Sequence, residues 1–225
     1  MSASKGKHSG GKEWPGWVEL QLIRRGITDK RVLRAMCDVD RGEFISPSSR
    51  HLTLADAPVP IGCGQTVSQP YVIALSLQAL GLKGREKVLD VGTGSGYQAV
   101  LLSHLAAEVF TIEVHMSLYT SARLAVESRA RAPVHTRHGD GSLGWPEQAP
   151  FDCIVAGCYA STPPAALLDQ LASGGRMVIP VGQNRSQALM LYEKDQHGAI
   201  SKKILERVVF VPLLGSQGVG PAPED

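Results

Sequence analysis

The chain of 225 residues carries 23 Lys and Arg against 21 Asp and Glu, a net charge of +2, with 43% hydrophobic and 20% charged residues. That length supports a core without disulfide staples, and the composition excludes a disordered or collagen-like chain. So small a positive surplus argues against the basic stripe of a dedicated nucleic-acid binder, and no nucleic-acid partner is expected.

In chain order, residues 1–12 are small, polar and Gly-rich, and residues 216–225 (SQGVGPAPED) are similar, so both are expected to be mobile tails. The basic residues at the N-terminus have no apolar run behind them and make no secretory leader. Trp14, Trp17, Val18 and Ile23 recur at roughly helical spacing and predict a helix from Trp14 to about Arg25. Thr28 reads as the N-cap of a second helix, with Val32, Leu33, Ala35 and Met36 as its apolar face. Residues 45–68 are turn-rich, with Pro47, Pro58, Pro60, Gly62 and Gly64. Pro70 suits the first turn of a helix running to about Leu80 and closed by Gly81. The longest apolar stretch, Tyr71–Leu82, is broken by Ser76 and Gln78 and is too short to cross a bilayer. No membrane partner is expected.

Beyond Gly81 short apolar runs alternate with helical stretches. The pattern predicts strand Lys87–Val91, helix Tyr97–Leu105, strand Glu108–Glu113, helix Ser117–Arg129, and strands Val134–Arg137 and Phe151–Val155. A helix opening at Pro163-Pro164 and closing at Gly174-Gly175 precedes strand Arg176–Val181. Strands Ala188–Glu193 and Leu205–Val211, joined by the turn Gln196-His197-Gly198, complete the series. Such alternation gives a doubly wound α/β sheet of Rossmann-like type, mostly parallel, and the last hairpin adds an antiparallel edge. With no repeat and no linker, residues 1–225 are expected to form one domain: N-terminal helices over 13–80 and an α/β core over 81–215. The four cysteines, Cys37, Cys63, Cys153 and Cys158, have no C-x-x-C spacing and are expected to be reduced in a cytoplasmic protein.

The first of these strands runs directly into Gly92-Thr93-Gly94-Ser95-Gly96. Glycines at a strand's carboxyl end allow close approach of a ligand to the backbone, and ligands of open α/β sheets sit there. The dinucleotide fingerprint fails, because Tyr97 stands where its last glycine belongs, and no Gly-Lys-Ser/Thr marks a P-loop. The pattern is instead D-x-G-x-G-x-G, opened by Asp90. Glu113 ends the next strand, where a carboxylate can accept from both hydroxyls of a ribose, and Asp140-Gly141 follow the third, where an adenine edge would lie. Three acidic positions at successive strand ends suit S-adenosylmethionine, which is cationic and has no pyrophosphate. The cofactor-binding set is therefore Asp90, Gly92, Thr93, Gly94, Ser95, Gly96, Glu113, Asp140 and Gly141.

From about Arg25 to Gly215 the chain resembles the protein-L-isoaspartate O-methyltransferase family. The resemblance is carried by RGITDKRVLRAM (25–36), PIGCGQTVSQPYVIA (60–74), KVLDVGTGSGYQAVLL (87–102), HGDGSLGW (138–145), FDCIVAGCYA (151–160), LLDQLASGGRMVIPVG (167–182) and FVPLLG (210–215). The G-x-G-Q-T-x-S-x-P core of the second segment separates this family from other methyltransferases with the same glycine loop. The resemblance implies methylation of the free α-carboxylate of L-isoaspartyl residues in damaged proteins and peptides, whose ester collapses to a succinimide. It implies further that Ser68 is the active-site hydroxyl and that Ile61, Gln65, Thr66 and Val67 frame the substrate together with backbone near Val211. The chain departs from the family at Thr53-Leu54-Ala55-Asp56, where members often carry an aromatic, and at Cys63 between the two glycines. Both departures bear on peptide preference.

A carboxylate is ionised at neutral pH, its ordinary pKa being about 4, so the nucleophile needs neither a base nor a metal. Orientation can supply roughly 7–11 kcal/mol of such a barrier. Ser68 is read either as the donor that orients the carboxylate or as an N-cap for the helix behind Pro70. His135 and His138 lack a matching third ligand, and no metal is expected. Two other readings stay open. One is a methyltransferase for a different substrate, although the Asn/Asp-Pro-Pro-Tyr tetrapeptide of nucleic-acid amino methyltransferases is replaced here by Ala156-Gly157-Cys158-Tyr159. The other is a cofactor-binding adaptor without turnover. The compact length suits a monomer.

Overall fold

The computed structural model describes residues 14–223. The expected N-terminal tail lies outside them. The first predicted helix is shorter than its spacing implies: α1 spans Gly16–Gln21, and a 3-10 turn Ile23–Arg25 ends at Gly26, whose φ of +93° suits glycine. The next helix, α2, is Lys30–Asp38, and Asp29 rather than Thr28 is its N-cap, its carboxylate accepting from the N–H groups of Arg31 and Val32. Thr28 lies one residue before the cap, its N–H and that of Asp29 both donating to Gln78 Oε1. Val32, Leu33, Ala35 and Met36 are buried as expected.

The turn-rich stretch holds a small hairpin that the sequence did not disclose, β1 Val59–Gly62 and β2 Gln65–Val67. Behind it α3 runs Pro70–Leu80, with Pro70 in its first turn and Gly81 left-handed at its end. The main sheet consists of β3 Lys87–Val91, β4 Glu108–Glu113, β5 Val134–His138, β6 Phe151–Ala156, β7 Leu171–Gln183, β8 Ser186–Lys194 and β9 Ile200–Val208. Its spatial order is β5-β4-β3-β6-β7-β8-β9. Pairs from β5 through β7 are parallel, and β8 and β9 form the antiparallel edge. The helices α4 Tyr97–Ser103, α5 Met116–Arg129 and α6 Ala165–Asp169 make the crossovers. The helix expected to end at Gly174-Gly175 stops at Asp169. Those two glycines lie inside β7, which is longer than predicted, and β9 begins five residues before the expected Leu205.

The parallel part of the sheet is buried on both faces, as a parallel sheet with helices on each side must be. Alternate residues show it: Val88, Val109, Val155 and Val178 join one apolar cluster with α3 and α4, and Leu89, Phe110, Ile154 and Met177 join another with Leu167 of α6 and Leu213. The N-terminal helices close the first face, Val18, Leu22, Ile27 and Leu33 lying in the same cluster. Arg31 fastens them by donating to the carbonyls of Leu82 and Leu105, just before β3 and β4. Strands β3 and β6 lie side by side where the order reverses, so their carboxyl ends diverge into the crevice that such a sheet offers a ligand.

Residues 216–220 are bonded to the body of the protein. Ser216 N donates to Asp140 Oδ2 at 2.7 Å, Gln217 N to Ser142 Oγ at 2.9 Å, and Gly215 N to Gly220 O at 2.8 Å. Among the described residues no helix is long and apolar enough to cross a membrane.

Candidate active site

Gly92, Gly94 and Gly96 take φ values of +90°, +56° and +88°, which L side chains adopt only under strain. A Cβ on Gly96 would also lie 3.0 Å from Val126 Cγ2, so this glycine lets α5 pack against the loop. The loop is tied to β4 by the N–H groups of Gly92 and Thr93, both donating to Ile112 O. Glu113 extends this tie: its Oε2 accepts from Gly94 N at 2.8 Å and its Oε1 from His115 N at 2.9 Å. The residue is 4% exposed and forms part of a cleft wall.

That cleft lies at the switch between β3 and β6. Of the expected cofactor residues Gly92, Gly94, Glu113 and Gly141 line it, together with Ile112, His115, Gly157 and Cys158. Gln65, Thr66 and Val211–Leu214 complete it from the other side. Gly157 occupies on β6 the place that Gly92 has on β3, and a Cβ there would approach Gly92 O at 3.4 Å. It escaped the sequence reading because it is a single glycine with no repeated spacing.

Other expected cofactor residues do not reach the cleft. Asp90 is fully buried beneath the loop, accepting from Gln98 Nε2 at 2.8 Å and from the Thr111 hydroxyl at 2.9 Å. Burial pushes its pKa up to about 7, against the two hydrogen bonds that lower it, with the charge of Glu113 adding to the rise. Thr93 turns inward as well, its hydroxyl 2.6 Å from that of Thr111. Asp140 accepts from Ser142 N, the Ser142 hydroxyl and Ser216 N, and so holds the C-terminal segment. Burial would raise its pKa, but those bonds outweigh it and hold the carboxyl below the usual range. Gly96 caps α4, and the Ser95 hydroxyl is buried with no protein partner among the described residues.

The β1–β2 hairpin lies against the loop. Ile61 Cδ1 is 3.2 Å from where a Gly94 Cβ would stand, Cys63 Sγ is 3.2 Å from Ser117 Oγ, and Gln65 Nε2 is 3.4 Å from His115 Nε2. The tip turns through Gly62, Cys63 and Gly64, all left-handed, so Cys63 is a side chain held at φ +51°. Val67, paired with Val59, is 6% exposed, belongs to the core and lines neither cavity.

On the far side of β2 opens a second cavity, a groove of about 890 Å³ lined by Ser68, Thr66, Tyr71, Arg25, Phe210 and residues of β8 and β9. Thr66 lines both cavities, so one residue of β2 separates cleft from groove. Ser68 does not cap α3: Gln69 occupies the N-cap, and no hydrogen bond among the described residues engages the Ser68 hydroxyl.

Two supporting residues were not legible in the sequence. Arg41, 3% exposed, donates to the carbonyls of Leu52, Thr53, Ala55, Ala57 and Ser68. Burial lowers its pKa from the ordinary arginine value. Gln187, buried on β8, accepts from Phe210 N at 2.7 Å and donates to Phe210 O at 3.3 Å, which continues the sheet's edge bonding to the residue before Val211. Tyr159 N then donates to Val211 O at 2.9 Å. Neither tie belongs to a local pattern, since the partners of Arg41 are 11–27 positions away in sequence and Phe210 is 23 away from Gln187.

The cleft suits the expected cofactor. Glu113 is its one carboxylate, no Lys or Arg lines it, and its glycines leave backbone exposed, which fits a cationic nucleoside better than a phosphate. Among the described residues no cluster of His, Cys, Asp and Glu has a metal's geometry. His135 Nε2 is 2.9 Å from Glu108 Oε1, and all four cysteines are free.

Comparisons with known proteins agree on one family. The model of protein-L-isoaspartate(D-aspartate) O-methyltransferase matches residues 18–218. Protein-L-isoaspartate O-methyltransferase 2 of Marinobacter nauticus is 49% identical over 202 residues, covering 89% of this chain and 92% of that one. The protein-L-isoaspartate O-methyltransferase of Koribacter versatilis is 47% identical, covering 91% and 92%. Among solved structures, the Plasmodium falciparum protein-L-isoaspartate O-methyltransferase in complex with S-adenosyl-L-homocysteine is similar with a TM-score of 0.75 and 30% identity, covering 89% of this chain and 97% of that one.

Proposed function

As this chain belongs to the protein-L-isoaspartate(D-aspartate) O-methyltransferase family, we propose that its cleft and groove are the cofactor and peptide halves of one carboxyl methyltransferase site, joined at Thr66. The activity is S-adenosyl-L-methionine-dependent methylation of L-isoaspartyl residues in proteins and peptides. The observation that carries the site assignment is the shared wall: Thr66 borders both cavities, and Ser68, two residues on, faces the groove.

When bound, the cofactor supplies an electrophilic methyl group. Gly92, Gly94 and Gly141 would give it exposed backbone, and Glu113 would accept from its ribose hydroxyls. The Ser68 hydroxyl, free of protein partners, donates to the isoaspartyl carboxylate and holds one oxygen toward the cleft. Arg41 fixes the Ser68 backbone, and Gln187 fixes Phe210 and hence Val211, so both walls are preorganised. Ile61 seats the hairpin on the glycine loop and Gln65 seats it on His115 behind β4, and together they keep water from the junction. No residue need act as a base, because the carboxylate arrives ionised.

The product ester closes to a succinimide, and its hydrolysis returns part of the damage to aspartate, so the role is repair. The enzyme acts as a cytoplasmic monomer, a reading supported by its four free thiols. Mass spectrometry of an isoaspartyl peptide after incubation with enzyme and cofactor tests the reading. A gain of one methyl, lost in mild base with appearance of succinimide, is expected; a base-stable methyl would contradict it.

A further inference from the structure

The groove beside Ser68 is not electrically neutral. Arg25, Arg185 and Arg207 line it, against Glu206 as its one acid. Arg25 is already used: it pairs with Asp56 Oδ2 at 2.5 Å, and its guanidinium lies 3.4 Å over the Tyr71 ring, forming a fixed wall. Glu206 is partly satisfied, accepting from Arg207 N at 2.9 Å. Arg185 and Arg207 are different. Both are exposed, and among the described residues neither guanidinium has an ion-pair or hydrogen-bond partner.

Their positions are set by rigid elements. Arg185 lies in the turn between β7 and β8, beside Asn184, which turns left-handed at φ +47°. Arg207 lies on β9, the sheet's outer strand, opposite Ala188. A groove of about 890 Å³ exceeds what one isoaspartyl side chain fills, so the chain on either side of the modified residue must also lie in it.

We propose that Arg185 and Arg207 form a subsite for acidic residues flanking the isoaspartate, so that this enzyme prefers damaged sites in acidic segments of protein. The inference rests on the function proposed above and names the substrate class that the groove favours. Exposed charge pairs contribute modestly, so two of them should lower KM by roughly threefold to tenfold at low salt.

The test uses three isoaspartyl peptides of equal length whose neighbouring residues are Glu, Gln or Lys. For the wild-type enzyme KM should rise in that order with kcat nearly constant, and the spread should shrink as salt is added. The double variant Arg185→Gln/Arg207→Gln should bring the three KM values together, and Arg185→Glu/Arg207→Glu should reverse their order. Equal KM values in the wild type, or a Glu preference that survives in both variants, would overturn the subsite. So would competitive inhibition by a short oligonucleotide alongside equal peptide KM values, which would give the arginines to another polyanion. Methylation of the Gln-flanked peptide keeps the two readings distinguishable: if even that peptide is not methylated, the proposed function fails and the subsite falls with it.

Discussion

Arg41 Nη2 donates to the carbonyl oxygen of Ser68 at 3.2 Å, while the same guanidinium holds four carbonyls of residues 52–57. A buried cation thus gathers the loop before the hairpin and the residue after it into one piece. In Arg41→Met these carbonyls lose their donor inside the protein. With unsatisfied buried groups costing about 1–3 kcal/mol each and partial relaxation, a loss of roughly 3 kcal/mol is expected, or about 6–12 °C in Tm. Peptide KM should rise while cofactor affinity is held, which calorimetric titration and steady-state kinetics would separate.

Ser68→Ala removes the one hydroxyl assigned to the substrate carboxylate. A hydrogen bond to a charged group contributes about 1.5–3 kcal/mol, so kcat/KM should fall roughly tenfold to a hundredfold. Because Ser68 caps no helix, Tm should stay within about 1 °C of wild type. A large loss of stability, or undiminished turnover, would count against the assignment.

Glu113→Ala should weaken cofactor binding by about tenfold to a hundredfold through loss of charge-assisted bonds to the ribose, with peptide KM nearly unchanged. Equilibrium binding of S-adenosyl-L-homocysteine measures it directly. Unaltered affinity would leave Glu113 only its bonds to Gly94 N and His115 N.

Asp90 gives a pH dependence whose sign follows from burial. Its carboxyl pKa is about 7 when folded, against an ordinary value near 4, so the folded chain binds this proton more tightly. The group's stabilising contribution is complete below the unfolded value and is lost as pH rises toward 7. Asp90→Asn cannot ionise, so the fall in its stability from pH 5 to pH 8 should be smaller than the wild-type fall. Parallel curves for the two proteins in denaturant titrations would contradict the shift.

The α/β core was legible because its signals are local. Short apolar runs ending in glycine place β3 and the loop, Pro70 and Gly81 bracket α3, and Glu113 ends β4 as expected. The hairpin was hidden because one strand has four residues, two of them Pro and Gly, and the other only three, too few to show alternation; Val59 and Val67 become a buried pair only once folded. Asp29 rather than Thr28 is the cap, because its carboxylate reaches the N–H groups of Arg31 and Val32, a choice between neighbouring cap-forming residues that spacing does not decide. The glycine motif located the loop but not the direction of each carboxylate. Gln98 and Thr111 draw Asp90 inward, and Ser142 with Ser216 occupies Asp140. Which acidic residue lines the cleft is decided by tertiary partners, and of the three only Glu113 does so.

The most direct test of the account compares two peptides identical except that one carries L-isoaspartate where the other carries aspartate. Each is incubated with the enzyme and methyl-labelled S-adenosyl-L-methionine, and base-labile label is counted. Label on the isoaspartyl peptide alone is the predicted result; label on both, or on neither while the cofactor binds, would contradict it.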